Sequence, residues 1–166
     1  MSRFRFLSLL LPAVLLAACR PGIENLNTYH YAGGQMQEGK LQYSENPPVG
    51  GVYSRVWQSC GVYAAPVYDE YAVHTLARGA IWIAYDPKLP AAEVTKLKAL
   101  LKDHPLSLLS PRPSLPSPVV ITAWNAQLQA TGADDPRLNA FVKQYADVKT
   151  APEYGAACSG GYTDAQ

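Results

Sequence analysis

The N-terminal segment, MSRFRFLSLLLPAVLLAAC, constrains the fold more than any other feature of this 166-residue sequence. It begins with basic residues at Arg3 and Arg5, continues through an apolar run at 6–16 and ends in small residues before Cys19. That order is typical of a bacterial secretory signal, and the run is shorter than the roughly 20 apolar residues that span a bilayer. We therefore predict that residues 1–18 are a signal peptide and that the rest of the chain folds outside the cytoplasm.

The ending LAAC also matches the lipobox of bacterial lipoproteins, in which the cysteine receives a diacylglycerol and becomes the N-terminus after cleavage. The alternative is an ordinary signal peptide that a cysteine follows by chance. Several acyl chains anchor a protein firmly, because each buried CH₂ contributes roughly 0.8 kcal/mol. We predict lipidation at Cys19 and a location in the bacterial cell envelope, on the extracytoplasmic side of a membrane that holds the N-terminal lipid.

The amino-acid composition limits which domain organisation and which partners are possible. Residues 20–39 are polar and contain glycine, so we predict a lipidated tether at 19–39 and a single globular domain at 40–166. The chain has 14 lysine and arginine residues against 13 aspartate and glutamate residues, and two of the arginines leave with the signal. Because no basic patch or run remains, we do not expect a nucleic-acid partner.

Two cysteines remain once Cys19 is lipidated, namely Cys60 and Cys158. Outside the cytoplasm an even pair is most simply a disulfide, and we predict that these two residues form one. The alternative is a pair of free thiols, one of which would be a nucleophile. Neither cysteine has a histidine close to it in sequence, so nothing local would activate such a thiol.

Hydrophobic periodicity and capping signals predict an α+β domain. Helical patterns occur in DEYAVHTLARG, PAAEVTKLKALLKDH and DDPRLNAFVKQYA, and buried-strand patterns occur in AIWIAYD and VVITAW. Asp135 is placed to cap the last helix and Pro136 to occupy its first turn. Because strands and helices do not alternate regularly, we predict a short, mostly antiparallel sheet with two or three helices and long proline-rich loops.

Several segments, taken in order, resemble a bacterial family called domain of unknown function 3105. Its members typically read PPTSGPH, then a tryptophan and GVY, then VHxLEHG running into a strand, a proline–arginine–proline segment and an apolar strand that ends in tryptophan. The corresponding segments here are PPVGGVY, WQSCGVY, VHTLARGAIWIAY, SPRPS and VVITAW. The resemblance covers roughly residues 30–150. It implies an exported, membrane-anchored domain but no established activity.

The resemblance also implies a histidine site. A His-x-x-Glu-His segment on a helix presents two imidazoles one turn apart, which suits a metal ion, and a further histidine could complete the ligands. This chain keeps His30 and His74 but has Ala77 and Arg78 in place of Glu-His, and Tyr53 in place of the further histidine. Because an arginine repels cations, the resemblance implies a metal-free cleft of His30, Tyr53, His74 and Arg78 that prefers an anion or a carbonyl.

The sequence has no Ser-His-Asp spacing, no glycine-rich phosphate loop and no CxxC pair. We therefore predict an envelope lipoprotein of unknown biochemical activity, acting as a non-catalytic binding or interaction module for an envelope ligand or protein, without a cofactor. The first alternative is a zinc- or copper-binding envelope protein, or a metal-dependent enzyme, that uses His30 and His74. The second is another enzyme acting on envelope polymers. For His74 itself we favour a structural, hydrogen-bonded histidine over a ligand or a base, and the alternative for the many tyrosines of the first half is that they line a groove for sugar or peptide.

Overall fold

The computed structural model describes residues 22–146 and 149–166. The predicted signal peptide at 1–18 and the predicted lipidation site at Cys19 lie outside the described residues. Within those residues, no helix has both the length and the apolar character needed to cross a bilayer.

The described part of the chain contains three helices: α1 (Asp69–Ala77), α2 (Ala91–Leu100) and α3 (Pro136–Tyr145). All three follow local signals in the sequence. The side chain of Asp135 accepts a hydrogen bond from the backbone N–H of Arg137 at 3.0 Å and so caps α3. Helix α1 ends just before Gly79, whose φ of +93° favours glycine.

Six described strands form one mixed sheet in the order β1-β6-β5-β3-β4-β2. They are β1 (Asn27–Thr28), β2 (Gly61–Val62), β3 (Ile81–Tyr85), β4 (Ser107–Pro111), β5 (Val119–Ala123) and β6 (Ala126–Ala130). Strand β4 is parallel to β2 and β3, whereas the other three pairings are antiparallel. The predicted single α+β domain is confirmed. The sheet is mixed rather than mostly antiparallel, because α2 returns the chain so that β3 and β4 run in the same direction.

The central strands separate two hydrophobic cores. Ile81 and Ile83 of β3 pack with residues of α2 and α3, whereas Trp82 and Ala84 pack with residues of α1. This alternation follows from the two-residue side-chain period of a strand. Among the described helices, α1, which carries the predicted site residue His74, is thus the one on this face of the sheet, where loop residues such as Tyr53 and Ala151 pack beside it.

The segment assigned to the tether contacts the domain over much of its described length. Ile23 and Leu26 pack against the core beneath α2 and α3, and β1 pairs with β6. Further along, Met36 forms a bridge with Tyr53. The described segment thus begins to pack at Ile23 rather than near residue 40. The reason is that a short edge strand such as β1 depends on backbone hydrogen bonds, which a polar composition does not predict.

The predicted disulfide between Cys60 and Cys158 is confirmed, with a Cα–Cα distance of 5.4 Å. It joins residues that are 98 positions apart. The backbone N–H of Cys60 also donates to the carbonyl oxygen of Cys158 at 3.2 Å. The C-terminal segment is therefore held beside the start of β2, where it reaches the helix α1 face of the sheet.

Candidate functional site

Three of the four predicted cleft residues meet around one carboxylate, that of Glu153. The rings of Tyr53 and His74 stack with their centroids 4.7 Å apart, and Nε of Arg78 lies 3.3 Å from Nε2 of His74. The guanidinium carbon of Arg78 lies 3.6 Å from the ring centroid of Trp57. We call these five residues, Tyr53, Trp57, His74, Arg78 and Glu153, the His74 cluster.

The two polar residues from α1 reach the cluster because they are one helical turn apart. His74 lies within α1, and Arg78 follows as its C-cap residue. Tyr53 comes from the loop before the helix and is fixed through its backbone, which exchanges hydrogen bonds with Gln35 and Gln37 at 3.1 and 2.9 Å. Tyr53 and His74 are buried, with 0% and 1% of their surface exposed.

Glu153 arrives from the C-terminal segment and connects the other members of the cluster. Its backbone N–H donates to the carbonyl oxygen of Ala77 at 2.8 Å, which sets the segment against the end of α1. The hydroxyl of Tyr53 donates to Oε1 of Glu153 at 2.8 Å, and Nε2 of His74 lies 3.0 Å from Oε2. Nε of Arg78 lies 3.7 Å from the same Oε2. The carboxylate of Glu153 therefore contacts three polar side chains, those of Tyr53, His74 and Arg78.

The surroundings of His74 assign its ring proton. An arginine Nε always carries a hydrogen, and a carboxylate only accepts. If Nε2 accepted from Arg78, its lone pair would also face the carboxylate of Glu153, which is repulsive. We therefore place a proton on Nε2, directed at Glu153. Nδ1 of His74 is buried and has no hydrogen-bond partner among the described residues.

The protonation states of the carboxyl and phenol groups follow from their contacts. Burial raises the pKa of Glu153, but the hydrogen bonds from His74 and Tyr53 and the charge of Arg78 outweigh it, so that the pKa lies below its usual range. Burial, together with the hydrogen bond to Glu153, raises the pKa of Tyr53 to about 12. At neutral pH the cluster thus contains a carboxylate that accepts from an un-ionised phenol.

The charge of Arg78 is satisfied inside the protein. Besides its position near Glu153 and over Trp57, its Nη1 donates to the carbonyl oxygen of Ala157 at 2.6 Å. The anion that this arginine was expected to accept is therefore supplied by the chain itself. Sequence reasoning missed Glu153 and Trp57. The available signal was the cysteine pair, because Cys158 follows Glu153 closely and Cys60 follows Trp57 closely.

His30, the fourth predicted cleft residue, lies elsewhere. It is exposed and lines a cavity of about 630 Å³ together with Tyr31, Tyr43 and three glutamines. In the described part of the chain, no hydrogen bond joins it to the His74 cluster. The backbone N–H of Tyr31 donates to Oδ1 of Asn125 at 2.7 Å, and this contact holds the neighbouring His30 at the hairpin between β5 and β6. The four residues thus do not form one cleft.

This cavity, which we call the tyrosine cavity, has fixed aromatic walls. The Tyr31 hydroxyl donates to Glu45 at 2.9 Å, and the Tyr43 hydroxyl donates to the carbonyl oxygen of Val52 at 2.7 Å. The ring of Tyr31 lies directly on Gly50, where an added Cβ would stand 2.6 Å from Cδ2 of the ring. Glycine at that position therefore permits the close packing that orients the ring.

The arginine of the proline–arginine–proline segment has a structural role. Nη1 and Nη2 of Arg112 both donate to the carboxylate of Asp69, the latter at 3.0 Å, and its Nε donates to Oδ1 of Asn46 at 2.5 Å. These residues line a second cavity, of about 470 Å³. Arg112 thus ties the end of β4 to the first residue of α1 and to the loop at Asn46.

The alternative metal site, at His30 and His74, stays a prediction. The two histidines belong to the tyrosine cavity and the His74 cluster respectively, as described above. Among residues 22–146 and 149–166, no group of three or more histidine, cysteine, aspartate or glutamate side chains is arranged to hold a metal ion. Arg78 also places a positive charge next to the nitrogen of His74 that faces Glu153.

Comparisons with known proteins give one match. A family model described as "Protein of unknown function (DUF3105)" matches residues 35–160, most of the chain. The match contains every member of the His74 cluster, whereas His30 precedes it. No curated protein and no solved structure matches the chain significantly.

Proposed function

The chain belongs to the family described as "Protein of unknown function (DUF3105)", and we propose that this member is a lipid-anchored, non-catalytic binding module of the bacterial cell envelope. The anchor is the lipid predicted at Cys19, and the binding surface is the tyrosine cavity. The observation that carries the proposal is a contrast between two places. Tyr53 and His74 of the His74 cluster are buried and, with the half-buried Arg78, engage the carboxylate of Glu153, whereas the tyrosine cavity is open and lined by side chains suited to recognition.

The burial of Tyr53 and His74 argues for a structural role of the cluster. A general base must come within hydrogen-bond reach of the proton that it removes from a substrate. Only 2% of the His74 side chain is exposed, and its Nε2 is already directed at Glu153. Tyr53 donates to the same carboxylate and accepts from the backbone N–H of Gly34 at 3.1 Å. The cluster therefore supports the packing of α1, the Gly34 loop and the C-terminal segment rather than a reaction.

Much of the lining of the tyrosine cavity suits a ligand that is rich in hydroxyl groups. Gln35, Gln37 and Gln42 are exposed and offer amide donors and acceptors, while Tyr31 and Tyr43 offer ring surface. The hydroxyls of both tyrosines are engaged internally, so the aromatic faces are what remain for a ligand. Ring faces beside amide groups match the alternating apolar and hydroxyl surfaces of a sugar. We therefore propose an oligosaccharide as the ligand class.

Calorimetric titration of the full-length protein in detergent micelles tests the proposal. We expect saturable binding of soluble neutral oligosaccharides. Replacing both Gln37 and Gln42 by alanine should weaken it at least about fivefold, because two neutral hydrogen bonds contribute about 1–3 kcal/mol. Gln144→Ala, which removes an exposed glutamine from α3, is the matched control and should leave the affinity unchanged.

Two results would contradict this function. One is the absence of saturable binding with both oligosaccharides and short uncharged peptides. The other is an equal loss of affinity in the Gln144→Ala control, which would show that the glutamines of the cavity are not the contact surface. Binding of peptides alone would retain the binding module and overturn the ligand class.

A further inference from the structure

The domain begins unusually close to the predicted anchor. Gly22 is the first described residue, and Ile23 already packs against the core. Nη1 of Arg137 donates to the carbonyl oxygen of Glu24 at 3.1 Å and holds the segment against the start of α3. An extended chain spans at most about 3.6 Å per residue, so the path from Cys19 to Gly22 can reach no further than about 11 Å.

The chain enters at one identifiable end of the sheet. Asn27 pairs with Gln127, and Arg137, which binds Glu24, also donates to the carbonyl oxygen of Gln129 at 3.1 Å. Residues 22–25 therefore lie where β6 ends and α3 begins. The side chain of Glu93 in α2 accepts from the backbone N–H of Ala133 at 3.0 Å, so α2 also begins at this end. We call residues 22–25 and 130–136 the entry end.

The tyrosine cavity lies toward the opposite end. Tyr31 is bonded to Asn125, in the turn that joins β5 to β6. Along β6 the distance from Asn125 to Gln129 is about 13 Å at the usual rise of a strand. The chain thus enters at one end of β6 and lines the cavity at the other.

From this placement we propose that the entry end lies against the lipid headgroups of the membrane that holds the Cys19 lipid, with the tyrosine cavity facing away. The proposal rests on the lipid anchor of the proposed function. A domain of this size is about 30–40 Å across, roughly three times the reach of the tether. The tether is therefore too short to let the far end of the sheet turn toward the bilayer.

The tether, and not surface charge, produces this contact. Asp135 pairs with Arg137 at 2.6 Å, and Asp134 pairs with Lys96 at 2.5 Å. Residues 22–25 and 130–136 include no lysine or arginine, so the entry end has no basic cluster to attract anionic lipids. The contact of the entry end with the membrane follows from the short tether alone, and lengthening the tether should abolish that contact.

Two threonines at opposite ends of the sheet allow a matched test. Thr131 belongs to the entry end, whereas Thr150 lines a small recess with Gly79 and Trp124 beyond the other end; both are exposed. The full-length acylated variants Thr131→Cys and Thr150→Cys are bound to preformed vesicles and treated with a bulky polyethylene-glycol maleimide, with and without detergent. Labelling by a small maleimide normalises each rate.

We expect vesicles to slow the bulky labelling of Thr131→Cys at least about fivefold, because the interface excludes the reagent, and to leave Thr150→Cys nearly unchanged. Inserting about ten glycine and serine residues after Arg20 adds about 17 Å of mean reach and should restore the labelling of Thr131→Cys. Equal protection of the two positions, or protection that survives the insertion, would overturn the orientation.

The lipid anchor is checked separately by mass spectrometry of the purified chain and by the Cys19→Ser variant, which should leave the membrane fraction. A chain without acyl groups overturns the lipid anchor and this inference with it. An acylated chain that shows equal accessibility at Thr131→Cys and Thr150→Cys overturns only the orientation.

Discussion

At the scale of single residues, Glu153 determines what the His74 cluster can do. Position 78 carries a fixed positive charge, and a buried charge is stable only when it is paired and hydrogen-bonded. Glu153 supplies the opposite charge and also accepts from Tyr53 and His74. One carboxylate from the C-terminal segment thus balances the positive charge of Arg78 at the contact between α1 and the Tyr53 loop.

Replacing Glu153 by glutamine should lower the free energy of unfolding by about 1–3 kcal/mol, because hydrogen bonds to a charged group are lost and Arg78 is left uncompensated. Urea unfolding at pH 7 measures the change. Glu38→Gln is the control, since within the described residues Glu38 forms a surface pair with Arg55 at 3.5 Å, and it should cost less than about 0.5 kcal/mol. Similar losses in the two variants would contradict the role of Glu153.

The lowered pKa of Glu153 also predicts how the stabilities of the wild type and of Glu153→Gln change with pH. A carboxyl group whose pKa is lower in the folded state stabilises that state above its unfolded value, about 4.5, and this stabilisation disappears as the pH falls through the folded value. The stability difference between the wild type and Glu153→Gln should therefore be constant from about pH 6 to pH 8 and shrink below about pH 4.5. A difference that grows on acidification would refute the assignment.

Position 78 decides whether the cluster can bind a metal. In the Arg78→His variant, two imidazoles would stand one turn apart on α1 beside the carboxylate of Glu153, a ligand set that zinc accepts. We expect this variant to bind zinc at least about tenfold more tightly than the wild type, a difference of about 1.4 kcal/mol, in competition with a chelating dye. Arg78→Gln, which removes the charge without adding a ligand, is the control. Tight one-to-one binding by the wild type, lost in His74→Ala, would instead favour the metal alternative.

At the scale of elements, the hairpin between β5 and β6 positions the tyrosine cavity. Asn125 has a φ of 64°, a conformation that asparagine tolerates better than most residues. Its Oδ1 accepts from the backbone N–H of Tyr31 at 2.7 Å, and its Nδ2 donates to the carbonyl oxygen of Tyr31 at 3.0 Å. A single turn residue therefore both permits the hairpin and fixes the segment that follows β1 at Tyr31.

Two substitutions separate these contributions of Asn125. Asn125→Gly keeps the turn conformation but loses both hydrogen bonds, with an expected cost of about 1–2 kcal/mol in unfolding free energy. Asn125→Ala loses the bonds and must also adopt a positive φ, which adds about 1 kcal/mol. Thermal unfolding should therefore rank the wild type above Asn125→Gly and Asn125→Gly above Asn125→Ala. An alanine variant as stable as the glycine variant would show that the turn conformation costs little.

The elements differ in how far the sequence could predict them. Elements α1, β3 and α3 depend on neighbours in sequence, such as the Asp135–Pro136 pair at the start of α3, and these three elements were predicted. Strand β6 reads AQLQA and has little strand propensity of its own. It exists because a two-residue turn brings it beside β5. The short strands β1 and β2 likewise depend on partners distant in sequence, which no local pattern reveals.

At the scale of the whole molecule, the candidate site depends on contacts that join the ends of the chain. The family pattern predicted that Tyr53, His74 and Arg78 belong together. His74 and Arg78 are one turn apart in sequence, and Tyr53 belongs to the segment at 47–53 that matches the family motif. It could not predict that Glu153 binds these residues, or that His30, which follows β1, lies apart from them. Both outcomes arise from long-range pairing: the C-terminal segment is covalently joined to Cys60, and β1 is bonded to β6.

The disulfide should therefore contribute much of the stability of the domain. Closing a loop between residues 98 positions apart removes conformational entropy from the unfolded chain, and the chain-entropy treatment gives about 4–5 kcal/mol for a loop of this length. The double replacement of Cys60 and Cys158 by serine should lower the unfolding free energy by roughly that amount, measured by urea unfolding under oxidising conditions. The wild type under reducing conditions should match the double variant, since both lack only the cross-link. A loss below about 1 kcal/mol would show that the hydrogen bonds of the C-terminal segment, including that between Glu153 and Ala77, hold it in place without the covalent bond.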